Sequence, residues 1–179
     1  MNLYIRFVIL ILSRLVIKKP IGILDECRSK FRVNFMDLDL NFHMNNGRYF
    51  SIMDLGRFDL MLKSKTFWTL AKKGYFPVIT AQSIRFKKSF GLLQSFELKT
   101  QIESWDEKDF YIVQTFCKED IIYAQGFVKA RFLRRGKKGS IPTKEIFEEA
   151  GAKYEDKDLS DRALAQRHLE TLLIPKDKN

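Results

Sequence analysis

Apolar residues are concentrated at the start of the chain. Between residues 3 and 17 nearly every side chain is aliphatic or aromatic, and the charged exceptions are Arg6 and Arg14. A membrane-spanning helix needs about 20 mostly uncharged residues, and this run is shorter. No small-x-small cleavage site follows it, so a secretory signal fits poorly. Two interpretations remain: a helix packed on the protein or a sister subunit, or a helix in a membrane interface with Arg14, Lys18 and Lys19 at the headgroups.

After this segment the pattern predicts a strand, a polar loop and a buried helix. Residues 31–35 alternate apolar and polar side chains, as in a strand. Residues 47–63 have the spacing of a helix, with Asn45 or Asn46 as the N-cap. Apolar positions surround nearly the whole of this helix, which is typical of a helix buried on most sides. A short second helix is predicted at residues 66–73.

Beyond Pro77 the apolar period changes from helical to alternating. Four segments, residues 84–87, 96–103, 110–117 and 121–133, alternate or are apolar on both faces, as strands do. Short charged turns join the last three segments, and strands joined in this way pair antiparallel. The order of strand, buried helix and long strands predicts an α+β fold, a curved antiparallel sheet wrapped around a central apolar helix.

The end of the chain has a different composition. Residues 136–142 are a turn-rich break, and residues 143–174 carry two helical patterns that we expect to fold back over the sheet. We therefore divide the chain into an N-terminal apolar helix (1–20), a central domain (21–135) and a C-terminal helical extension (136–179). A chain of 179 residues supports one such domain with a core of its own.

Charge and cysteine content narrow the class of partner. The net charge is +10, and the first 135 residues hold 23 Lys and Arg against 13 Asp and Glu, while the rest hold nine of each. A basic body favours an anionic partner, such as coenzyme A, an acidic membrane or nucleic acid. No nucleic-acid-binding motif is present, so we expect no nucleic-acid partner. The two cysteines form no CxxC pair and indicate reduced thiols of a cytoplasmic protein. Two histidines without a Cys/His cluster predict no metal site.

Two carboxylates stand in the loop before the buried helix. Asp37 and Asp39 are two residues apart, shortly before the predicted start of the helix. A carboxylate there can serve as a general base or a nucleophile towards an acyl group. The free backbone N–H groups at the start of the helix can stabilise an oxyanion. The same two residues, with Asn41 and Asn45, also suit plain turn and capping roles, and spacing alone does not decide between these readings.

The loop and the start of the helix carry a known motif. The segment Asp37-Leu-Asp39-Leu-Asn-Phe-His43-Met-Asn45-Asn46-Gly-Arg-Tyr49 resembles the D-x-D-x-x-G-H-V-N-N-x-x-Y signature of hotdog-fold thioesterases of the 4-hydroxybenzoyl-CoA type. The longer string is similar to bacterial relatives of thioesterase superfamily member six, and the similarity extends over residues 1–150. The resemblance implies the hotdog fold, which is the arrangement that the periodicity predicts. It also implies hydrolysis of acyl-CoA thioesters, with no cofactor besides the coenzyme A of the substrate.

The resemblance assigns roles by position. The catalytic carboxylate of the family falls on Asp39, and the backbone N–H that binds the oxyanion falls on Asn46. His43 is expected to border the thioester pocket, and Asn45 is expected to organise the loop beside the substrate. Two further members of the motif are expected to be structural, Asp37 and Tyr49.

More substrate-binding residues are expected around this pair. Phe42 stands where many family members have glycine, so it is expected to narrow the pocket or to change the backbone path beside the thioester. Coenzyme A carries several negative charges, and cationic side chains should line its channel. The cationic candidates are Arg48, Arg85, Lys87 and Lys88.

Two functions remain open at this point. The first is an acyl-CoA thioesterase, a hydrolase that forms a cytoplasmic homodimer or a dimer of dimers, because two subunits of this fold usually join their sheets. The second is a non-catalytic or weakly catalytic acyl-binding protein at a membrane surface. In that case residues 3–19 would make peripheral contact with the inner face of a membrane.

Overall fold

A computed structural model describes residues 2–14 and 20–173. Residues 15–19, which include Ile17, Lys18 and Lys19 of the predicted N-terminal helix, lie outside this part of the chain. The helices are α1 (Asn2–Arg14), α2 (Asn46–Lys63), α3 (Thr66–Lys72), α4 (Thr143–Glu149) and α5 (Asp161–Leu173). The strands are β1 (Cys27–Arg32), β2 (Tyr75–Phe86), β3 (Ser95–Trp105), β4 (Phe110–Lys118), β5 (Ile121–Arg134) and β6 (Ser140–Ile141), and a 3-10 turn spans Phe35–Asp37.

The strands form one antiparallel sheet in the order β1-β3-β4-β5-β2, and the short β6 pairs with β5. Strands β3, β4 and β5 follow one another in the chain and pair with their neighbours through short turns. Helix α2 packs on one face of this sheet, and its side chains Ile52, Met53 and Leu60 belong to the main core. The predicted α+β architecture, a sheet around a central helix, is confirmed.

Two glycines allow α2 to approach the sheet closely. A Cβ atom on Gly56 of α2 would lie 2.5 Å from Leu98 Cδ2 and 2.9 Å from Gln114 Nε2. A Cβ atom on Gly126 of β5 would overlap the side chain of Met53. Protein interiors are too densely packed to absorb such overlaps, so a larger residue at either position would push helix and sheet apart.

Helix α1 packs against α2, as the docking interpretation of the N-terminal segment expects. Leu10 is buried together with Leu55 and Leu62 of α2. The rings of Phe7 and Phe58 meet edge to face with their centroids 5.0 Å apart. Among the described residues, no helix combines the length and the apolar character that crossing a membrane requires.

Helix α5 covers the face of the sheet opposite α2. Successive side chains of a strand point to opposite faces, and Tyr111 and Val113 of β4 point away from α2. They pack with Phe127 of β5 and Ala163 of α5. Arg167 of α5 donates a hydrogen bond to the Tyr111 hydroxyl at 3.0 Å. The C-terminal segment therefore folds back over the sheet as predicted.

Two boundaries differ from those that the sequence pattern predicts. The first strand ends before the predicted position because Asn34 forms a capping box with Asp37, and this box starts the 3-10 turn. Strand β2 begins at Tyr75, well before the alternation at Ile84. Its side chains are mostly exposed, so burial imposes no clear alternation on that part of the sequence.

Candidate active site

The motif segment between β1 and α2 folds as a small antiparallel hairpin. The Asp39 N–H donates to the His43 carbonyl oxygen at 2.8 Å, and the Asn45 N–H donates to the Asp37 carbonyl oxygen at 2.8 Å. The residues between these two hydrogen bonds form a β-bridge. Asp39 therefore lies opposite His43 near the tip, and Asp37 lies opposite Asn45 beside the helix. The spacing of the motif residues in the sequence therefore matches the pairing of residues across this hairpin.

The Asp39 carboxylate is held at the tip of the hairpin by the backbone. Its Oδ1 atom accepts hydrogen bonds from the N–H groups of Asn41 at 2.9 Å and His43 at 3.3 Å. The side chain is half-buried. Within residues 2–14 and 20–173, no cation forms an ion pair with this carboxylate and no group donates to Oδ2. One oxygen is thus fixed by the fold, and the other is available to a substrate or a water molecule.

The start of α2 offers one backbone donor next to this hairpin. The Asn45 side chain caps the helix by accepting from the Gly47 N–H at 2.8 Å, and the Asn45 carbonyl oxygen accepts from the Arg48 N–H at 2.9 Å. In the described part of the chain, no acceptor is hydrogen-bonded to the Asn46 N–H. This N–H lies at the positive end of the helix dipole. The first residue of α2 therefore presents a free donor that can bind an anionic oxygen.

Asp37 occupies a different environment from Asp39. Its carboxylate is buried and lies 2.5 Å from the Arg6 guanidinium of α1. It also accepts the Asn34 N–H at 3.0 Å. Arg48 lies 3.9 Å from the same carboxylate and donates to the Met36 carbonyl oxygen at 3.1 Å. Asp37 therefore binds the loop to α1, and the guanidinium of Arg48 contacts the loop itself.

The residue at the usual glycine position has an unusual backbone conformation. Phe42 has a φ of +56°, which falls in the left-handed region that favours glycine. Its side chain is 72% exposed. Phe42 thus keeps a backbone conformation suited to glycine and projects its ring outward from the hairpin. The neighbouring His43 is also exposed and pairs through its backbone with Gly91.

Tyr49 anchors the first turns of α2 to the sheet. It is buried, and its ring packs against Phe86, Phe90 and Phe116 at centroid distances of 4.9, 6.1 and 5.0 Å. Burial raises the pKa of its hydroxyl to about 12, although a hydrogen bond that the hydroxyl oxygen accepts from the Phe90 backbone acts in the opposite direction. The Met44 N–H donates to the Phe90 carbonyl oxygen at 2.8 Å. The segment after β2 is therefore attached to both the helix and the hairpin.

The remaining cationic candidates lie at the end of β2 and directly after it. Arg85, Lys87 and Lys88 are all exposed. Within the described residues none of the three forms an ion pair. The Lys88 ammonium group lies 5.7 Å from the centre of the Tyr123 ring. Lys87 and Lys88 therefore lie in the segment that contacts the hairpin, whereas Arg85 lines a groove with Arg162 and Gln166 of α5 on the opposite face of the sheet.

A largely apolar cavity of about 130 Å³ lies between α2 and the sheet. Its walls include Leu60, Ile79 and Ile112, and the polar pair Asp54 and Arg57 stands at its side. Arg57 is nearly buried and donates to Gln114 Oε1 at 2.6 Å. Sequence reasoning missed this polar group, although an arginine in an otherwise apolar helix is a signal for a buried polar partner.

The described residues offer no cluster for a metal ion and no exposed thiol. Within residues 2–14 and 20–173, no group of three or more His, Cys, Asp or Glu side chains is placed to hold a metal. Cys27 and Cys117 are buried, and burial raises the pKa of both thiols. Thiols with a raised pKa are weak nucleophiles at neutral pH.

Comparison with known proteins agrees with this architecture. A family model of the thioesterase-like superfamily matches residues 33–158. Protein THEM6 of Danio rerio is 38% identical over 104 residues, which cover 58% of this chain and 50% of that protein. The chain spans about half the length of the curated relatives it matches.

Solved structures share the fold. The probable thioesterase YbaW of Escherichia coli superposes with a TM-score of 0.64 at 17% identity, covering 69% of this chain and 95% of its own. The gentisyl-coenzyme A thioesterase BH1999 superposes with a TM-score of 0.61 at 20% identity, covering 68% of this chain and 98% of its own. Identities this low show the fold alone, and the predicted hotdog fold is confirmed. Since the family model matches more than half of its length, the chain belongs to the thioesterase-like superfamily.

Proposed function

We propose that the chain hydrolyses acyl-coenzyme A thioesters at the hairpin, with Asp39 as the base or nucleophile and the Asn46 N–H as the oxyanion donor. The proposal rests on one observation. The fold fixes the Asp39 carboxylate at the tip of the hairpin, and at the other end of the hairpin the Asn46 N–H has no acceptor among the described residues. Membership of the superfamily supports thioester chemistry. The finer assignment to the 4-hydroxybenzoyl-CoA type rests on the motif.

The two groups divide the reaction between them. Asp39 accepts a proton from water as the water oxygen attacks the thioester carbonyl carbon. In the nucleophilic variant its own oxygen attacks the carbonyl carbon, the C–S bond breaks to leave an acyl–Asp39 anhydride, and water then hydrolyses this anhydride. The negative charge that develops on the carbonyl oxygen lies at the positive end of α2, where the Asn46 N–H stabilises it. The C–S bond then breaks, and the coenzyme A thiolate takes up a proton.

The cations beside the hairpin support coenzyme A as the carrier. Lys87 and Lys88 are exposed and directly precede the segment whose Phe90 carbonyl oxygen accepts a hydrogen bond from the hairpin. Side chains of this kind suit the phosphates of coenzyme A. The structural neighbour BH1999 is a gentisyl-coenzyme A thioesterase, so a related fold accommodates that carrier.

The apolar cavity is our proposed site for the acyl group. Asp54, at the side of the cavity, follows Asn46 by about two helical turns, or roughly 12 Å along α2. A medium-length acyl chain spans that distance from a thioester at the start of the helix. His43, Phe42 and Asn45 would then border the thioester at the surface.

We also propose that the active form is a homodimer joined through β2. One edge of β2 pairs with β5, and none of the strands within residues 2–14 and 20–173 lies beside its other edge. The opposite edge of the sheet is closed, because Lys63 and Arg6 donate to the carbonyl oxygens of Arg28 and Arg32 in β1. An open strand edge is a template for pairing with another chain. Two copies related by a two-fold axis can pair through the same strand.

Two lysines on the open edge test this dimer. Thr80 and Gln82 are exposed positions of β2, and the change Thr80→Lys with Gln82→Lys brings like charges together across a two-fold axis. We expect a dimer for the parent chain and a monomer for the variant, measured by light scattering on a sizing column. The control Gln101→Lys, at an exposed position of the inner strand β3, should remain a dimer. A monomeric parent chain would contradict the proposal.

The substitution Asp39→Asn tests the proposed chemistry. It removes the base and keeps the size of the side chain, so turnover across a panel of acyl-CoAs should fall about a hundredfold or more. The unfolding midpoint of Asp39→Asn should match that of a control variant at an exposed position, Asp158→Asn. Full turnover in the Asp39 variant would reject the assignment. Tight acyl-CoA binding without turnover in the parent chain would instead favour an acyl-binding protein.

A further inference from the structure

Helix α1 directs its charged side chains toward the protein. Arg14 donates to both carboxylate oxygens of Asp59 at 2.6 and 3.0 Å, and Asp59 is fully buried. Arg6 contacts the buried Asp37 at 2.5 Å. Because these arginines neutralise buried carboxylates, they cannot turn outward without leaving uncompensated charges behind. The inward face of α1 is therefore fixed by ion pairs as well as by Leu10.

The opposite face of α1 is apolar and exposed. Its five outward side chains fall within about 140° of the helix circumference and are each more than half exposed, from 52% for Val8 to 77% for Tyr4. They are Tyr4, Ile5, Val8, Ile9 and Leu12. A surface helix of a soluble protein normally has the reverse arrangement, with its polar face outward. Contiguous exposed apolar surface of this kind marks an interaction site.

We propose that this outer face of α1 inserts into the interface of an anionic lipid membrane, so that the protein binds the membrane peripherally. The helix has 13 residues and is about 20 Å long, which suits a position in the plane of the interface. Tyr4 adds an amphipathic ring of the type enriched at headgroup level. The remaining side chains of the face enter the acyl boundary.

The surrounding charges favour lipid over a second copy of the chain. Lys30 and Arg32 of β1 are exposed and line the groove between that strand and α1. In the sequence Lys18 and Lys19 follow the helix. Two copies paired through α1 would bring these like charges together, whereas the anionic headgroups of a cytoplasmic leaflet attract each of them. A cytoplasmic location at the inner face of a membrane follows as part of this proposal.

The membrane-binding face is continuous with the candidate site. Ile5, Ile9 and Leu93 line the same groove, and Gly91, close to Leu93 in the chain, pairs with His43 of the hairpin. The hairpin itself exposes two further apolar side chains, Leu40 and Phe42. An acyl chain could therefore move directly between lipid and the hairpin. This transfer step rests on the proposed function, whereas the proposal of membrane binding is independent of it.

Flotation of the full chain with vesicles tests the proposal. Phosphatidylcholine vesicles with about 30 mol% phosphatidylglycerol are compared with phosphatidylcholine alone. We expect the chain to float with the anionic vesicles, and Val8→Asp with Leu12→Asp to reduce the bound fraction about tenfold. The matched control, Leu164→Asp with Leu172→Asp, places the same charges on exposed leucines of α5 and should bind like the parent chain. Lys30→Glu should weaken binding to the anionic vesicles several-fold.

Three results would overturn the proposal. The first is that the parent chain floats with neither kind of vesicle, and the second is that the Val8 and Leu12 variant floats as well as the parent chain. The third is that the parent chain self-associates without lipid and this variant does not, because α1 would then bind a second copy. Turnover of a short, soluble acyl-CoA without vesicles is measured in parallel. Flotation without turnover supports the membrane proposal and rejects the thioesterase, so the two failures are distinguishable.

Discussion

The Arg6 guanidinium lies 2.5 Å from the Asp37 carboxylate, and this contact joins the first helix of the chain to the hairpin that carries Asp39. The Asp37 side chain is only 2% exposed, so its charge depends on partners within the protein. The position of α1 and the shape of the hairpin are therefore coupled. A helix proposed to bind a membrane and a loop proposed for catalysis share one ion pair.

The substitution Arg6→Ala should reduce both stability and activity. It takes one partner from a buried carboxylate, and we expect a loss of about 2–3 kcal/mol in the free energy of unfolding. The value of kcat should fall because the hairpin loses a fixed contact. The exposed pair Arg28–Glu26 provides the control, and Arg28→Ala should cost no more than about 0.5 kcal/mol. Urea unfolding and acyl-CoA turnover measure both effects, and equal unfolding midpoints for the two variants would contradict this expectation.

The role of the Asn46 backbone can be separated from that of its side chain. Asn46 is the first residue of α2, a position that tolerates proline. The preceding Asn45 has φ −56° and ψ +137°, which is compatible with a following proline. Asn46→Pro removes the N–H and should lower kcat about a hundredfold, with little loss of stability. Asn46→Ala keeps the N–H and should retain most activity. If the alanine variant is the more damaged of the two, the side chain and not the backbone N–H is the important group.

The positive φ of Phe42 predicts a stabilising substitution. An L-residue in this region costs roughly 1–2 kcal/mol, and Phe42→Gly removes that cost while the unfolded chain gains some entropy. We expect a net stabilisation of about 0.5–1 kcal/mol. Leu40→Gly, in the same hairpin and without a positive φ, should be neutral or destabilising. Thermal unfolding of the two variants decides the point, and a destabilised Phe42→Gly would show that the ring makes a contact in the assembled protein.

The Asp59 cluster predicts a loss of stability in acid. Burial alone would raise the pKa of this carboxyl, but hydrogen bonds from Arg14, Ser29 and Lys63 outweigh it and lower the pKa below the ordinary value of 3.8. The unfolded state therefore binds the proton more readily, and stability falls as pH decreases through this range. Asp59→Asn should give a lower but flatter stability profile between about pH 5 and pH 3. Urea midpoints across that range test this, and parallel profiles would contradict it.

The central part of the fold was predictable because burial leaves a periodic pattern. The alternation in β3 and the all-round apolar positions of α2 predict the sheet and its buried helix. The same pattern does not show that Arg57 and Asp59 are also buried, since their burial depends on partners distant in the sequence, Gln114 and Arg14. Helix α1 has no clean polar face in sequence for the same reason. Its arginines face inward because the carboxylates that they neutralise belong to other elements.

The candidate site was predictable in its residue types but not in its shape. The motif identifies Asp39 and Asn46, and their roles remain proposals. The hairpin register that fixes the Asp39 carboxylate is a backbone property and leaves no mark in composition. The ion pair between Asp37 and Arg6 joins positions far apart in the chain, and a single sequence contains no signal for such a pair.

The two edges of the sheet differ in whether they can accept a strand from another copy of the chain. Two carbonyl oxygens of β1, those of Arg28 and Arg32, are occupied by the side chains of Lys63 and Arg6, whereas no described strand pairs with the outer edge of β2. A unit with one open edge loses that edge when a second unit joins it. In the proposed dimer, the addition of strands would therefore end after a single step, and the protein would avoid the open-ended fibrils to which a sheet with two free edges is prone.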